Sequence, residues 1–297
     1  MSRAQLLISL RNMKLIMLRG LPASGKSTLA VELMFQGGDY FRVNRDLLRT
    51  MLHNNIWTGK REGVTVDVEK IIVAQLLSQN KNVIVDDTNL GDKHVDMWKS
   101  VAIVCGAKFE IIDMMDKVTV AECIERNQGR IDAVPPGVIE GMALQYNYLG
   151  LTKIVVVDID GTVADGTHRQ HHLAGEKKDW KTYFSLMSGD TPRHDVYEQA
   201  VKVAEDNYAE IVFVSARPED YRMKTEQWLR ENGMTYKALI MRPKGNKNPD
   251  TQVKGDIYER YLKQYTIVRV FDDRPSVIRM WREKGLEVED VGNGIEF

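Results

Sequence analysis

Short apolar runs rich in Val, Ile and Leu recur along the chain, each followed by a stretch in which apolar residues return every three to four positions. The runs lie at Lys14–Arg19, Asn82–Asp86, Lys108–Asp113, Lys153–Asp158, Ile211–Ser215, Ala238–Met241 and Ile267–Phe271. Runs without polar alternation, such as Ile154-Val155-Val156-Val157, suit strands covered on both faces. Their alternation with helical periodicity predicts an α/β protein of parallel sheets flanked by helices. Pro135-Pro136 opens a further helix, running to about Leu149, because proline suits a first helical turn. At 297 residues the chain has length for two cores. Gly150-Leu151-Thr152 is the expected joint, giving domains 1–150 and 151–297.

Composition mainly excludes. With 43% hydrophobic and 28% charged residues the chain matches soluble globular proteins. Residues 1–150 carry 18 Lys and Arg against 17 Asp and Glu, the remainder 23 against 25, so neither half has the basic excess of a protein that coats long nucleic acid. Cys105 and Cys123 are too few for a disulfide framework and lack zinc-site spacing, which fits a reducing cytoplasm. The Leu6–Leu10 segment is shorter than a signal-peptide core, and no run is long enough to span a membrane.

Chemistry enters at the strand ends. Gly20-Leu21-Pro22-Ala23-Ser24-Gly25-Lys26-Ser27 fits GxxxxGK[ST] between a strand and a helix beginning near Thr28. Gly20, Ser24, Gly25, Lys26, Ser27 and Thr28 therefore form an expected nucleotide-phosphate cradle, with Lys26 reaching β/γ oxygens and Ser27 a Mg²⁺ ligand. Asn44-Arg45-Asp46 and Asp86-Asp87-Thr88-Asn89 close two further strands. Asp46 reads either as a base that accepts a hydroxyl proton or as a helix N-cap, and Arg49 one turn on suits a phosphate. Arg126 and Arg130, four apart at the end of Val118–Gln128, read as fingers on a transferring phosphoryl or as a solvated basic helix end.

In the second half, Asp158-Ile159-Asp160-Gly161-Thr162 ends an apolar strand. Two buried carboxylates are costly without a cation. They suit phosphomonoester hydrolysis in which Asp158 attacks phosphorus, Asp160 serves as acid and base, and Mg²⁺ offsets the repulsion. Ser215-Ala216-Arg217, Lys254 and Asp272-Asp273-Arg274 follow at later strand ends. This order resembles the haloacid-dehalogenase-type phosphatases. The resemblance implies Ser215, Arg217 and Lys254 as phosphate or substrate ligands, and Asp158, Asp160, Asp272 and Asp273 as metal-side carboxylates. His168, Arg169, His171 and His172 fall where such enzymes carry a small cap. His168 and Arg169 are candidate substrate contacts, whereas Trp180, Tyr183 and Phe184 read as cap core or as a base-stacking platform.

The pairing of GLPASGKS, NRDLLR, DDTN, RNQGR, DIDGT, SAR and FDDR resembles the phage-type polynucleotide kinase/3′-phosphatases over about residues 14–292. That resemblance implies a P-loop kinase fold followed by a haloacid-dehalogenase-like fold. It also implies transfer of the ATP γ-phosphate to 5′-hydroxyl ends and removal of 3′-phosphates. Asp46 would be the base, Arg49 and Thr88 would hold the acceptor's 3′-phosphate, Asp87 would line its site, and Arg126 with Arg130 would touch donor phosphates. The partners implied are DNA or RNA ends and a downstream ligase; self-association is left open. A small-molecule kinase fused to a nucleotide phosphatase is the rival enzyme.

Overall fold

The computed structural model describes residues 13–174 and 178–294, so Leu6–Leu10 lies outside the described residues. The chain divides into two compact units, Met1–Val134 and Pro135–Phe297.

In the first unit, strands β1 (Lys14–Arg19), β2 (Tyr40–Val43), β3 (Asn82–Asp86) and β4 (Lys108–Asp113) form a parallel sheet in the order β2-β3-β1-β4. Three of these carry the expected bounds. The fourth, β2, is an edge strand of four residues interrupted by Arg42, too short and too polar to stand out in the apolar pattern. Helices α1 (Lys26–Phe35), α2 (Arg45–His53), α3 (Gly59–Ser78), α4 (Asp92–Cys105) and α5 (Val120–Gln128) complete the unit. One sheet face buries Leu15, Met17, Val83 and Val85 with Leu77, Trp98 and Ala102; the other buries Ile16, Leu18 and Ile84 with Ala30. Helix α5 starts at Val120 because Thr119 and Glu122 form a reciprocal capping box before it. It ends at Gln128, so Arg130 lies beyond the helix and does not share a face with Arg126.

The second unit comprises α6 (Pro136–Gln145), β5 (Lys153–Val157), β6 (Ala164–Asp165), α7 (Trp180–Ser185), β7 (Thr191–Pro192), α8 (His194–Asn207), β8 (Glu210–Pro218), α9 (Arg222–Glu231), β9 (Ala238–Arg242), α10 (Asp250–Ile257), β10 (Thr266–Asp272), α11 (Pro275–Glu283) and β11 (Val288–Asp290). Its five-stranded parallel sheet runs β11-β10-β5-β8-β9, so β8 and β9 build outward on one side of β5 and β10 and β11 on the other. That reversal opens a crevice at the carboxyl end of β5. The short antiparallel pair β6-β7 brackets a cap segment that includes α7.

The joint differs from the expected one. Leu144 of α6 packs in the second core with Ile154, Val156, Val212 and Ile240, and Ile139 and Ala143 are fully buried. Arg222 donates to Glu140 at 2.9 Å, and the Tyr265 hydroxyl donates to the Leu144 carbonyl. By packing, then, the second unit opens at Pro135 and not at Leu151. The helix also stops at Gln145, short of Leu149, and Asn147 turns into the left-handed region at φ 52°.

Candidate functional site

Each sheet gathers its polar residues at the carboxyl ends of its strands. In the first unit the loop between β1 and α1 depends on glycine: Gly20 sits at φ 148°, and a Cβ there would lie 2.7 Å from Ser24 Oγ. Gly25, left-handed at φ 92°, caps α1. The buried Lys26 ammonium donates to the carbonyls of Gly20 at 2.9 Å and Leu21 at 2.7 Å. Burial lowers its pKa to about 8, against the pull of Asp86 and Asp87. Ser27 and Thr28 are exposed at the head of α1.

Asp86, at the end of β3, was not singled out by the sequence, although it opens the quoted Asp86-Asp87-Thr88-Asn89 run. It is almost fully buried, and burial raises its pKa against the opposing influence of Ser27 and Arg42. Arg42 Nε donates to its Oδ2 at 2.8 Å, while Oδ1 has no hydrogen-bond partner. An orphaned buried oxygen beside a P-loop serine suits a divalent cation.

Asp46 lies in the first turn of α2 with its side chain 82% exposed and paired to Arg49. It is not the N-cap: Asn44 takes that position, accepting from the Leu47 amide at 3.0 Å. Arg49 is also held by Glu62, donating at 2.8 and 2.7 Å. Asp87 is largely buried and accepts from the Arg45 amide at 2.8 Å, so it anchors the start of α2 where it was expected to line an acceptor site. Behind it, Arg45 donates twice to Glu69, at 2.9 and 2.7 Å. Burial and the neighbouring Asp87 push the Glu69 carboxyl up. A proton on Glu69 would satisfy Glu69 Oε1 and Asp87 Oδ2, two buried oxygens that otherwise lack a hydrogen bond, Asp87 Oδ2 lying 3.6 Å from the Arg45 guanidinium. The Thr88 carbonyl accepts from the Gly20 amide at 3.0 Å, tying β3 to the loop. Arg126 is half exposed and 3.4 Å from Glu122; Arg130 grips Asp132 at 2.6 Å and lies within electrostatic range of Lys26, Asp46 and Asp86.

In the second unit, Asp158 follows β5, and Asp272 and Asp273 close β10. One carboxylate oxygen from each lies within 4.8 Å of the others, a group that could hold a metal ion. Lys254 of α10 stands among them, 2.9 Å from Asp158 and 2.7 Å from Asp272. Burial lowers the Lys254 pKa, but Asp158 and Asp272 more than offset this and raise it overall. Burial and the neighbouring acids raise Asp158 well above the carboxylate range, and Asp273 to about 6, despite the nearby lysine. Protein groups alone thus leave excess negative charge, as a cation site requires. Gly161, left-handed at φ 79°, explains the glycine of the motif: a Cβ would fall 2.0 Å from Asp273 Oδ2.

Asp160 does not join that metal group. Its Oδ1 accepts from Arg169 at 2.5 Å and from Arg217 at 2.7 Å, and its Oδ2 accepts from Arg217 Nε at 2.9 Å. Burial raises its pKa, yet the two guanidiniums prevail and hold it well below the usual range. Arg169 and Arg217 were expected to meet substrate directly; both are fully buried behind Asp160. Their second partner is Asp190, which no sequence feature flagged. It is 4% exposed and accepts from Arg169 at 2.6 Å and from Arg217 at 2.7 Å. Ser215 is buried and accepts from the Arg217 amide at 3.1 Å. His168 is 42% exposed, its Nδ1 3.9 Å from Asp190. Of the three cap aromatics Tyr183 alone is buried, and all three line a cavity that also holds Asp158.

Both halves of the chain resemble known proteins. Residues 152–296 match the family model of the polynucleotide kinase PNKP phosphatase domain, and residues 15–148 match an AAA domain model. The second half of the chain is thus similar to the phosphatase domain of polynucleotide kinases, and the first half to AAA domains. The two matches meet near Gly150, where the sequence placed its joint, although α6 packs with the second unit. A "Putative bifunctional polynucleotide kinase/RNA ligase" of Autographa californica nuclear polyhedrosis virus is 30% identical over 94% of this chain. The chain spans only 42% of that relative. A chain of the Pnkp1/Rnl/Hen1 RNA repair complex is 25% identical, with 96% of this chain and 97% of that one covered at a TM-score of 0.42. Mycobacterium tuberculosis APS kinase CysC is 19% identical over 40% of this chain and 70% of its own, at a TM-score of 0.34. The two domain matches imply nucleotide and divalent metal use. Among the described residues no helix is long and apolar enough to cross a membrane.

Proposed function

We propose that the chain heals nucleic-acid ends. One unit transfers the ATP γ-phosphate to 5′-hydroxyls of DNA or RNA, and the other hydrolyses 3′-phosphates. The observation that carries this reading is the Asp158, Asp272 and Asp273 cluster at one sheet edge, in a chain whose other sheet ends in a P-loop. In the kinase, Asp46 takes the proton of the attacking 5′-hydroxyl as the new O–P bond forms and the bond to the β–γ bridging oxygen breaks. Lys26, Arg126 and Arg130 offset charge on the transferring group, and Arg49 steadies the acceptor. Ser27 and Asp86 would hold Mg²⁺, which supplies charge neutralisation on the triphosphate.

In the phosphatase, Asp158 attacks phosphorus as the bond to the 3′ oxygen breaks. Asp160, whose protonation the negative substrate phosphate favours against its two guanidiniums, gives a proton to that oxygen. It then takes one from the water that cleaves the aspartyl-phosphate, freeing phosphate and Asp158. Arg169 and Arg217 orient Asp160, and Lys254 holds Asp158 in line. Asp158, Asp272 and Asp273 would hold Mg²⁺. The product ends, 5′-phosphate and 3′-hydroxyl, are those a ligase joins. Strands bearing a 5′-hydroxyl and a 3′-phosphate, incubated with ATP and Mg²⁺, should gain one phosphate and lose the other. Lys26→Ala should silence only the first reaction and Asp158→Asn only the second. Efficient phosphorylation of free nucleosides with no activity on strand ends would overturn the proposal.

A further inference from the structure

The acids at Asp158 and Asp273 form one end of a cavity of about 1610 Å³. A site for one small molecule occupies roughly 300–1,000 Å³, so there is room beyond a phosphate and one sugar. Much of the added wall is the cap, through Leu173, Lys178, Trp180 and Phe184. Trp180 is 46% exposed, a large share for a ring of this size. It is not loose: it stacks on Phe184 at 5.8 Å and 22°, and Phe184 leans on Tyr221 at 5.3 Å. The Lys178 ammonium lies over the Trp180 ring, 5.7 Å from its centroid, a long side chain that a stacked base would displace.

The same short helix ties this wall to the reacting group. Tyr183, edge-on to Trp180 at 5.8 Å, carries the Arg169 guanidinium 4.1 Å from its ring centroid, and Arg169 donates to Asp160. A ligand resting on Trp180 is therefore registered to Asp160 through packed side chains. An exposed, rigidly backed indole beside an ammonium fits a flat heterocycle linked to negative charge.

Resting on the 3′-phosphatase reading, we propose that Trp180, backed by Phe184, is the stacking platform for the terminal base of a single-stranded 3′-phosphate end, with Lys178 beside the strand's backbone. Base-on-aromatic stacking is sequence-tolerant, so the platform grips any terminal base. A base paired within a duplex is already stacked and must be freed first, so recessed ends are poorer substrates than single strands.

The test compares 3′-phosphorylated oligonucleotides that end in a normal nucleotide with the same strands ending in an abasic residue. With the full-length protein, the ratio of kcat/KM for base-bearing over abasic ends should fall roughly tenfold in Trp180→Ala, mainly through KM. Trp180→Phe should recover most of the ratio, since a smaller ring still stacks. Equal losses on both ends, or an unchanged ratio, would mean that Trp180 only supports the cap, and the platform is overturned. Failure of the unaltered protein to hydrolyse either end overturns the 3′-phosphatase reading itself, and the platform with it.

Discussion

Asp190 illustrates how much of the phosphatase site depends on a residue that touches no reacting group. Arg169 and Arg217 are both fully buried, and two carboxylates, Asp160 and Asp190, balance them. Removing one partner of a buried charge network strands the other, at a cost of about 3–5 kcal/mol. Asp190→Ala should therefore destabilise the second unit by that order, read as an earlier denaturant midpoint in fluorescence, where Trp228, which donates to the Asp190 carbonyl, reports locally. A midpoint within error of the unaltered protein would show that the arginines do not need this anion. Sequence pattern could not reveal this network. Asp158, Asp272 and Asp273 were legible because acids at the ends of apolar strands have little structural reason to be there. Arg169 and Arg217 looked like surface ligands because arginine usually is exposed; the anion that buries them lies 21 and 27 positions away.

At the scale of elements, the strands were legible and the supporting helices less so. Strands β1 and β3 begin and end where the apolar runs do, because buried parallel strands need unbroken hydrophobic sequence; β4, an edge strand interrupted by Glu110, was legible from Phe109, Ile111 and Ile112. Strands β2 and β11 were missed for the converse reason: each is short and interrupted by charged residues. Helix α6 was foreseen as a helix, but its packing partner was not. That partner is fixed partly by charge, since Arg222 of α9 reaches Glu140, Glu219 and Glu226 together. Burial raises the Glu140 carboxyl to about 7, the guanidinium notwithstanding. A folded pKa above the unfolded value, roughly 4.3, means that the native state binds the proton more tightly. Glu140 thus contributes stability below about pH 4.3 that is lost progressively as pH rises to about 7. Glu140→Gln, neutral throughout, should flatten the fall in melting temperature between pH 5 and 7.5. Other raised carboxylates such as Asp273 share this window, so the quantity to compare is the difference in slope between the two proteins. Identical slopes would mean that Arg222 keeps Glu140 ionised throughout.

For the whole molecule, two boundaries compete. Family matches divide the chain between residues 148 and 152, whereas packing divides it at Val134 and Pro135. The disputed stretch is α6 with its following turn. The AAA domain match includes it in the first half; by contact it buries Ile139, Ala143 and Leu144 and sets Leu144 in the second unit's core. The Leu144 carbonyl also accepts from Gln264 and Tyr265, so its loss would leave both donors seeking new partners. Fully burying an aliphatic side chain is worth about 1.5–3 kcal/mol, and two such groups with their hydrogen bonds make a large part of the 5–15 kcal/mol that holds a domain together. A phosphatase fragment comprising residues 135–297 should therefore melt at least 10 °C above one comprising residues 151–297, since roughly 4–8 °C accompanies each kcal/mol at small-domain size and 2–4 °C at larger. Both keep Asp158, Asp160, Asp272 and Asp273. Hydrolysis of a 3′-phosphate by the longer fragment at 37 °C, with the shorter active only when cooled, would establish that α6 supports the phosphatase. Equal melting temperatures would instead return the boundary to Gly150 and make the packing of α6 incidental to the second fold.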